Sequence, residues 1–245
     1  MGGGRVDAVT FDYWNTLVWE EAGHLTGRRR AAWAGLLEEA GFAMERSLLD
    51  AVFQRSWDRY VEHWTANQQY QSVRAAEELV EHLGFEVPAN VRRELIESFT
   101  EAGRDAELHL TPGVVECLRA LKDAGLKLGI ICDVGMTASP LLLDHLDRHG
   151  VLGLFDHWSF SDDVGHYKPS PVIFEHALAG LGGVAPERTA HIGDIRRTDV
   201  AGALGMGMLA IRYTGISDDT TTASPEGHHV VADHADVPGI LLDPL

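Results

Sequence analysis

The chain opens with a short apolar, β-branched run at residues 6–11 that stops at Asp12, the pattern of a buried strand. From Glu20 the pattern changes. As far as about Arg104, apolar positions recur at helical spacing, with breaks at Gly23, at Gly41, at Tyr70-Gln71-Ser72 and at residues 84–88. This predicts four helices and no strand. Alternation follows. A helix opens at Thr111-Pro112-Gly113 and runs to Ala124, with Gly125 as its C-terminal cap. Strands are expected at 127–132, 156–160, 189–193 and 209–212, with an edge strand at 229–232 after the polar loop 217–227. Helices at 140–149, 169–181 and 198–204 separate them.

Strands alternating with helices imply a parallel sheet covered on both faces, because parallel strands need crossover connections. The expected fold is therefore α/β and Rossmann-like. Residues 1–19 and 106–245 would form the core domain, and the helical block 20–105 would be an all-helical insertion. A length of 245 residues and a hydrophobic content of 45% suit one such core with an inserted smaller unit.

Charge narrows the range of partners. The 20 basic residues against 37 acidic ones leave a formal charge of −17, which argues against nucleic acid and anionic membrane as partners. A small anionic substrate remains compatible, given a local cation. Cys117 and Cys132 are the only cysteines, too few for a disulfide framework or a Cys-rich zinc site. The start, Met1-Gly2-Gly3-Gly4-Arg5, lacks the apolar stretch of a signal peptide, and no apolar run has the length of a membrane span. The expectation is a cytoplasmic protein, as a monomer or a homodimer.

Ligands of open α/β sheets bind outside the carboxyl ends of the strands. Here the first strand ends in Asp12, the second in Cys132-Asp133, the third in Ser161-Asp162-Asp163 and the fourth in Gly193-Asp194. Carboxylates gathered at one edge repel unless a cation sits among them, and a few hard oxygen ligands suit Mg²⁺. Lys168, just before Pro169, can add a positive charge.

These segments carry a resemblance. Asp12-Tyr13-Trp14-Asn15-Thr16-Leu17, the strand ending at Cys132-Asp133, Tyr167-Lys168-Pro169, and Gly193-Asp194 with Asp199 five residues on are similar, in order and separation, to the four motifs of the haloacid dehalogenase superfamily. The helical block resembles that superfamily's cap, placed between the first and second motifs and suited to hinge closure. The resemblance implies a hydrolase with Asp12 as nucleophile and an aspartyl intermediate. It places Mg²⁺ on Asp12, the Trp14 carbonyl and Asp194, with Asp199 as a further metal ligand. It gives Lys168 the task of holding Asp12 and the substrate's charge, and Thr16 that of fixing the loop. Cys132 stands where Ser or Thr is usual and Asp133 where Asn is common, both beside the substrate. Trp14 occupies the position of the general acid in the superfamily's phosphatases.

Two reactions fit this pattern. Gly193-Asp194 with Asp199 matches the phosphatase form of the fourth motif and implies Mg²⁺-dependent hydrolysis of a small phosphorylated metabolite. An aromatic residue at position 14 matches the metal-independent branch, in which the nucleophile attacks carbon as in 2-haloacid dehalogenases. A fold-retaining binding or regulatory protein with little turnover is the third reading. Arg28-Arg29-Arg30 is the densest basic cluster, either a solvated helix face or a source of one anion anchor, for which Arg28 is taken. Trp57, Tyr60 and Trp64 share a helical face and are expected to pack inward. His145 and His149 have the i, i+4 spacing of a metal pair but no third ligand nearby, and are read as core or surface histidines.

Overall fold

The structure, a computed structural model, describes residues 6–242. Residues 1–5, on which the expectation of no signal peptide falls, and 243–245 lie outside the described residues. The chain divides into two compact units, one of 1–19, 109–133 and 146–245, the other of Glu20–Leu108 and Val134–His145. In chain order the elements are β1 (Ala8–Phe11), β2 (Val18–Trp19), α1 (His24–Glu39), α2 (Arg46–Thr65), α3 (Ser72–Glu81), α4 (Ala89–Glu101), β3 (His109–Leu110), α5 (Val114–Asp123) and β4 (Lys127–Cys132). There follow α6 (Ser139–Arg148), β5 (His157–Phe160), α7 (Ser161–Val164), α8 (Pro171–Gly180), β6 (Thr189–Gly193), α9 (Ala201–Met206), β7 (Leu209–Tyr213), β8 (His229–Val231) and α10 (Asp236–Leu242).

The first unit is built on a six-stranded sheet in the order β5-β4-β1-β6-β7-β8, every neighbouring pair parallel. Its inner strands are buried along almost their whole length, which explains why they read as continuous apolar runs rather than alternating ones. On one face Ile131 and Ala210 pack with Ile173, Phe174 and Ala177 of α8 and Ala203 of α9. The route from β1 to β4 runs one way along the sheet through α5, and the return to β6 and β7 runs through α8 and α9. Right-handed crossovers put these two sets on opposite faces. The direction reverses at β1, so the crevice at its carboxyl end is the natural ligand position. Sequence pattern missed the antiparallel ribbon of β2 with β3, two residues per strand and too short to carry a period. It also missed the short helices α7 and α10.

The second unit holds α1 to α4, in the places the breaks in periodicity predicted. It also takes in Val134–His145, which the sequence reading had grouped with the strands. Leu25, Arg29, Trp33 and Leu37 form the buried stripe of α1 at i, i+4 spacing. Trp33 is fully enclosed, its indole donating to the Leu95 carbonyl at 2.9 Å and its ring meeting Phe53 and Phe99 at their edges. The expectation for the α2 aromatics is corrected at Trp57, which is 52% exposed, whereas Tyr60 is buried. The inward stripe of α2 runs through Leu49, Val52, Phe53, Ser56 and Tyr60. Trp57, one position past Ser56, is turned about 100° from it, at the edge of that stripe beyond Phe53. Among the described residues no helix is long and apolar enough to cross a membrane.

Candidate functional site

At the carboxyl edge of the sheet, Asp12 follows β1, Asp133 follows β4 and Asp194 follows β6. Register brings them together: Phe11 lies opposite Ile130 on one side and Ile192 on the other, and the Asp12 amide donates to the Ile192 carbonyl at 2.8 Å. Asp12, Asp194 and Asp199 each offer an oxygen within 4.8 Å of the others, and all three are buried. Asp162 and Asp163, expected from the third strand, open α7 instead and are not in this cluster.

Lys168 is the cation of the site and is 1% exposed. Its Nζ donates to Asp12 Oδ1 at 2.5 Å, Asp199 Oδ1 at 2.6 Å and the Ile131 carbonyl at 2.9 Å, which uses all three ammonium hydrogens. Asp133, expected beside the substrate, accepts the Lys168 backbone N–H at 2.8 Å and so fixes the start of that side chain. Asp199 sits in a π-helical turn, Arg196–Val200. One oxygen takes Lys168 and lies 3.2 Å from His191 Nε2, and the other accepts the Ile195 N–H at 3.0 Å. A Cβ at Gly193 would come within 2.3 Å of the Asp199 carboxyl carbon, so the strand must end in glycine for Asp199 to reach inward.

The electrostatics follow from three buried carboxylates facing one buried ammonium. Burial pulls the Lys168 ammonium down, but Asp12, Asp199 and Asp133 outweigh it and hold the lysine well above its ordinary value. Burial also pushes Asp199 up, yet Lys168 and His191 bring it well below the usual carboxylate range. Asp12 is pushed up to about 7, chiefly by burial, with Lys168 offsetting part of the rise. Asp194 is raised well above its ordinary value by burial and by Asp12 and Asp199. Among the described residues, Asp12 Oδ2 and Asp194 Oδ1 have no hydrogen-bond partner, whereas Asp199, expected among the metal ligands, spends both oxygens on protein donors. Buried charge of this kind is paired or coordinates metal, and an all-oxygen donor set fits a hard divalent cation.

The loop after Asp12 is tight. Leu17 and Val18 both donate to the Tyr13 carbonyl, and Asn15 adopts a left-handed conformation with φ 57°. Asn tolerates that conformation better than most residues, and its amide reaches Asp194 at 3.3 Å. Thr16 is tied through its carbonyl, which accepts from Thr111 Oγ1 at 2.7 Å and His234 Nε2 at 2.8 Å, rather than through its hydroxyl. Trp14 is half-buried with its ring edge-on to Tyr13. Cys132 is fully buried, and burial followed by the Asp12 charge keeps it a thiol. The sequence assigns no role to His191, and none to Asn15 and Gly193 beyond their places in the first and fourth motifs; the tolerance of Asn for a left-handed turn is the one further signal available.

The basic cluster lies in the second unit. Arg28 is exposed and its Nε donates to the Ala102 carbonyl; Arg30 pairs with Asp50 at 2.6 Å; Arg29 alone is buried. His145 is buried and His149 exposed, as core and surface histidines.

Comparison with known proteins agrees with this geometry. The family model for haloacid dehalogenase-like hydrolases matches residues 6–207. A glyceraldehyde 3-phosphate phosphatase of Methanothermobacter thermautotrophicus is 30% identical over 235 residues, covering 94% of this chain and 93% of that protein. The fold is similar to that of a 2-haloacid dehalogenase from Pseudomonas syringae, with a TM-score of 0.69, 22% identity and coverage of 96% of this chain and 98% of the other. It is also similar to a HAD phosphatase from Thermococcus onnurineus, with a TM-score of 0.65, 23% identity and the same coverages. With an acid-ended parallel sheet, a buried lysine between two of its aspartates, and a family match over most of its length, the chain belongs to the haloacid dehalogenase-like hydrolases.

Proposed function

We propose that this chain hydrolyses a small phosphorylated metabolite, with Asp12 as nucleophile and Mg²⁺ as cofactor. The observation that carries the reading is the state of Asp12: one oxygen is held by Lys168, the other has no protein partner, and Asp194 lies beside it. Asp12 Oδ2 attacks phosphorus, the bond to the leaving oxygen breaks, and an acyl phosphate forms on Asp12. Water then cleaves that intermediate, releasing phosphate and regenerating the carboxylate. Lys168 orients the attacking carboxylate and offsets charge on the transferring group. Asp12, Asp194 and the Trp14 carbonyl would hold Mg²⁺, which when bound neutralises charge on the phosphoryl oxygens. Asp199 serves by holding Lys168. The phosphatase relatives support this substrate class.

Trp14 favours a second reading. It cannot donate a proton to a leaving alkoxide, a loss worth about 10²–10⁴ in rate, whereas a halide leaving group needs none. A screen of phosphate monoesters and 2-halo acids, each with Mg²⁺ and with chelator, separates the two. Phosphate release that requires Mg²⁺ is expected, and it should vanish in Asp12→Asn while the circular dichroism spectrum is unchanged. Halide release that persists in chelator would replace the phosphatase reading with the carbon-centred one. Turnover near wild type in Asp12→Asn would remove the aspartyl mechanism from both.

A further inference from the structure

Within the second unit lies a cavity of about 230 Å³ between α1, α2, α4 and the segment carrying Met136. Its walls are mostly apolar, from Phe53, Trp57, Phe99 and Met136, and Arg29 enters the lining from the buried stripe of α1. Arg29 is 4% exposed, and its guanidinium lies over the Phe99 ring at 4.9 Å. Nε donates to the Phe99 carbonyl at 3.1 Å, and Nη2 to the Met136 carbonyl at 2.7 Å and Thr137 Oγ1 at 2.9 Å. All three acceptors are neutral. Among the described residues Nη1 has no hydrogen-bond partner and no carboxylate forms an ion pair with Arg29. Arg30, which also lines the cavity, is neutralised by Asp50 at 2.6 Å.

A buried cation ordinarily has a counter-charge, because its desolvation is otherwise uncompensated. Burial brings Arg29 down to about 10, with the charge of Glu20, which forms no ion pair with it, offsetting part of the fall. The stripe position explains why the arginine is inside; packing does not explain why it is a cation. Nη1 keeps two N–H groups, a match for one carboxylate. One unpaired charge offsets a monoanion and leaves a phosphate dianion half uncompensated. The volume sets the size of the rest of the ligand, since a cavity of about 150 Å³ already accepts benzene.

We propose that this cavity is a binding site for a small organic monoanion, a carboxylate on a compact apolar body, with Arg29 as its anchor. The site stands apart from the hydrolytic reading and is tested by binding alone, without Mg²⁺.

Titration calorimetry of the full chain with benzoate and with 3-methylbutanoate should show saturable binding of at least one. Benzamide, uncharged and of benzoate's shape, and inorganic phosphate should each bind at least tenfold more weakly. Arg29→Met should lose binding by a hundredfold or more. Because that variant also breaks three bonds to the scaffold, Thr26→Trp is measured beside it. Thr26 is exposed on α1 and lines the same cavity, so the indole should block entry with Arg29 left in place. Loss of binding in Thr26→Trp, with wild-type circular dichroism and melting temperature, supports the site. No saturable binding of either acid, benzamide equal to benzoate, or undiminished binding in Thr26→Trp would overturn it.

Discussion

Lys168→Met is the sharpest test of the charge arrangement at the sheet edge. The substitution keeps the length of an unbranched, fully buried side chain and removes only the ammonium, so cavity formation contributes little. It leaves Asp12 and Asp199, whose oxygens lie within 4.8 Å, without their shared counter-charge. At that separation and an effective dielectric of about 20, two carboxylates repel by about 3.5 kcal/mol. Removing one partner of a buried ion pair costs roughly 3–5 kcal/mol, in agreement. For a protein of this size each kcal/mol lowers the melting temperature by about 2–4 °C, so a fall of roughly 10 °C is expected in chelator. The assay is thermal unfolding at about pH 8, above the value of about 7 to which burial raises Asp12 beside Lys168; without the lysine that value rises further, and proton uptake by Asp12 makes the repulsion of about 3.5 kcal/mol an upper limit. Hydrogen exchange at the amides of β1 and β4 places the loss in the sheet-bearing unit. Millimolar Mg²⁺ should recover part of it by mass action. A fall of less than about 2 °C in chelator would show that the carboxylates do not depend on Lys168, and the reasoning would fail.

Three further outcomes follow from the same geometry. Asp194→Asn should lose most of the stabilisation that Mg²⁺ confers on the wild type; an equal rise in melting temperature in both proteins would take Asp194 out of the metal site. Trp14→Asp should raise alkyl phosphate hydrolysis more than aryl phosphate hydrolysis, since poor leaving groups gain most from a proton donor; a ratio that does not rise counts against a lost general acid. His234 is held neutral in the fold: Nε2 donates to the Thr16 carbonyl, Nδ1 has no partner, and burial lowers its pKa below the ordinary value of 6.5. The unfolded chain therefore binds its proton first, and this residue's contribution to stability is complete above about pH 6.5 and is lost as pH falls from there through the lowered folded value. His234→Gln should lose less stability than the wild type between about pH 7.5 and 5.5; parallel losses would show that His234 does not titrate on unfolding.

How far the sequence was legible depended on whether the signal was periodic and local. The run that ends at Asp12, the four helices broken by Gly41 and Gly84, and the alternation of strands with helices after Thr111 were all readable. Buried parallel strands and amphipathic helices impose their periods directly on residue type. The convergence of Asp12, Asp194 and Lys168 was readable because each follows or precedes a recognisable element and ligands gather at strand ends. What the chain alone could not decide was the direction of single side chains. Trp57 and Ser56 differ by one position, and only packing of α2 against α1 and α3 selected which faced inward. Arg28, Arg29 and Arg30 are chemically alike, yet the stripe through Leu25, Trp33 and Leu37 buries the middle one. Asp133 and Asp199 have the composition of site residues, but tertiary hydrogen bonds turn the first to the Lys168 backbone and the second to its ammonium. Those choices rest on distances between residues far apart in the chain, about which local pattern carries no information.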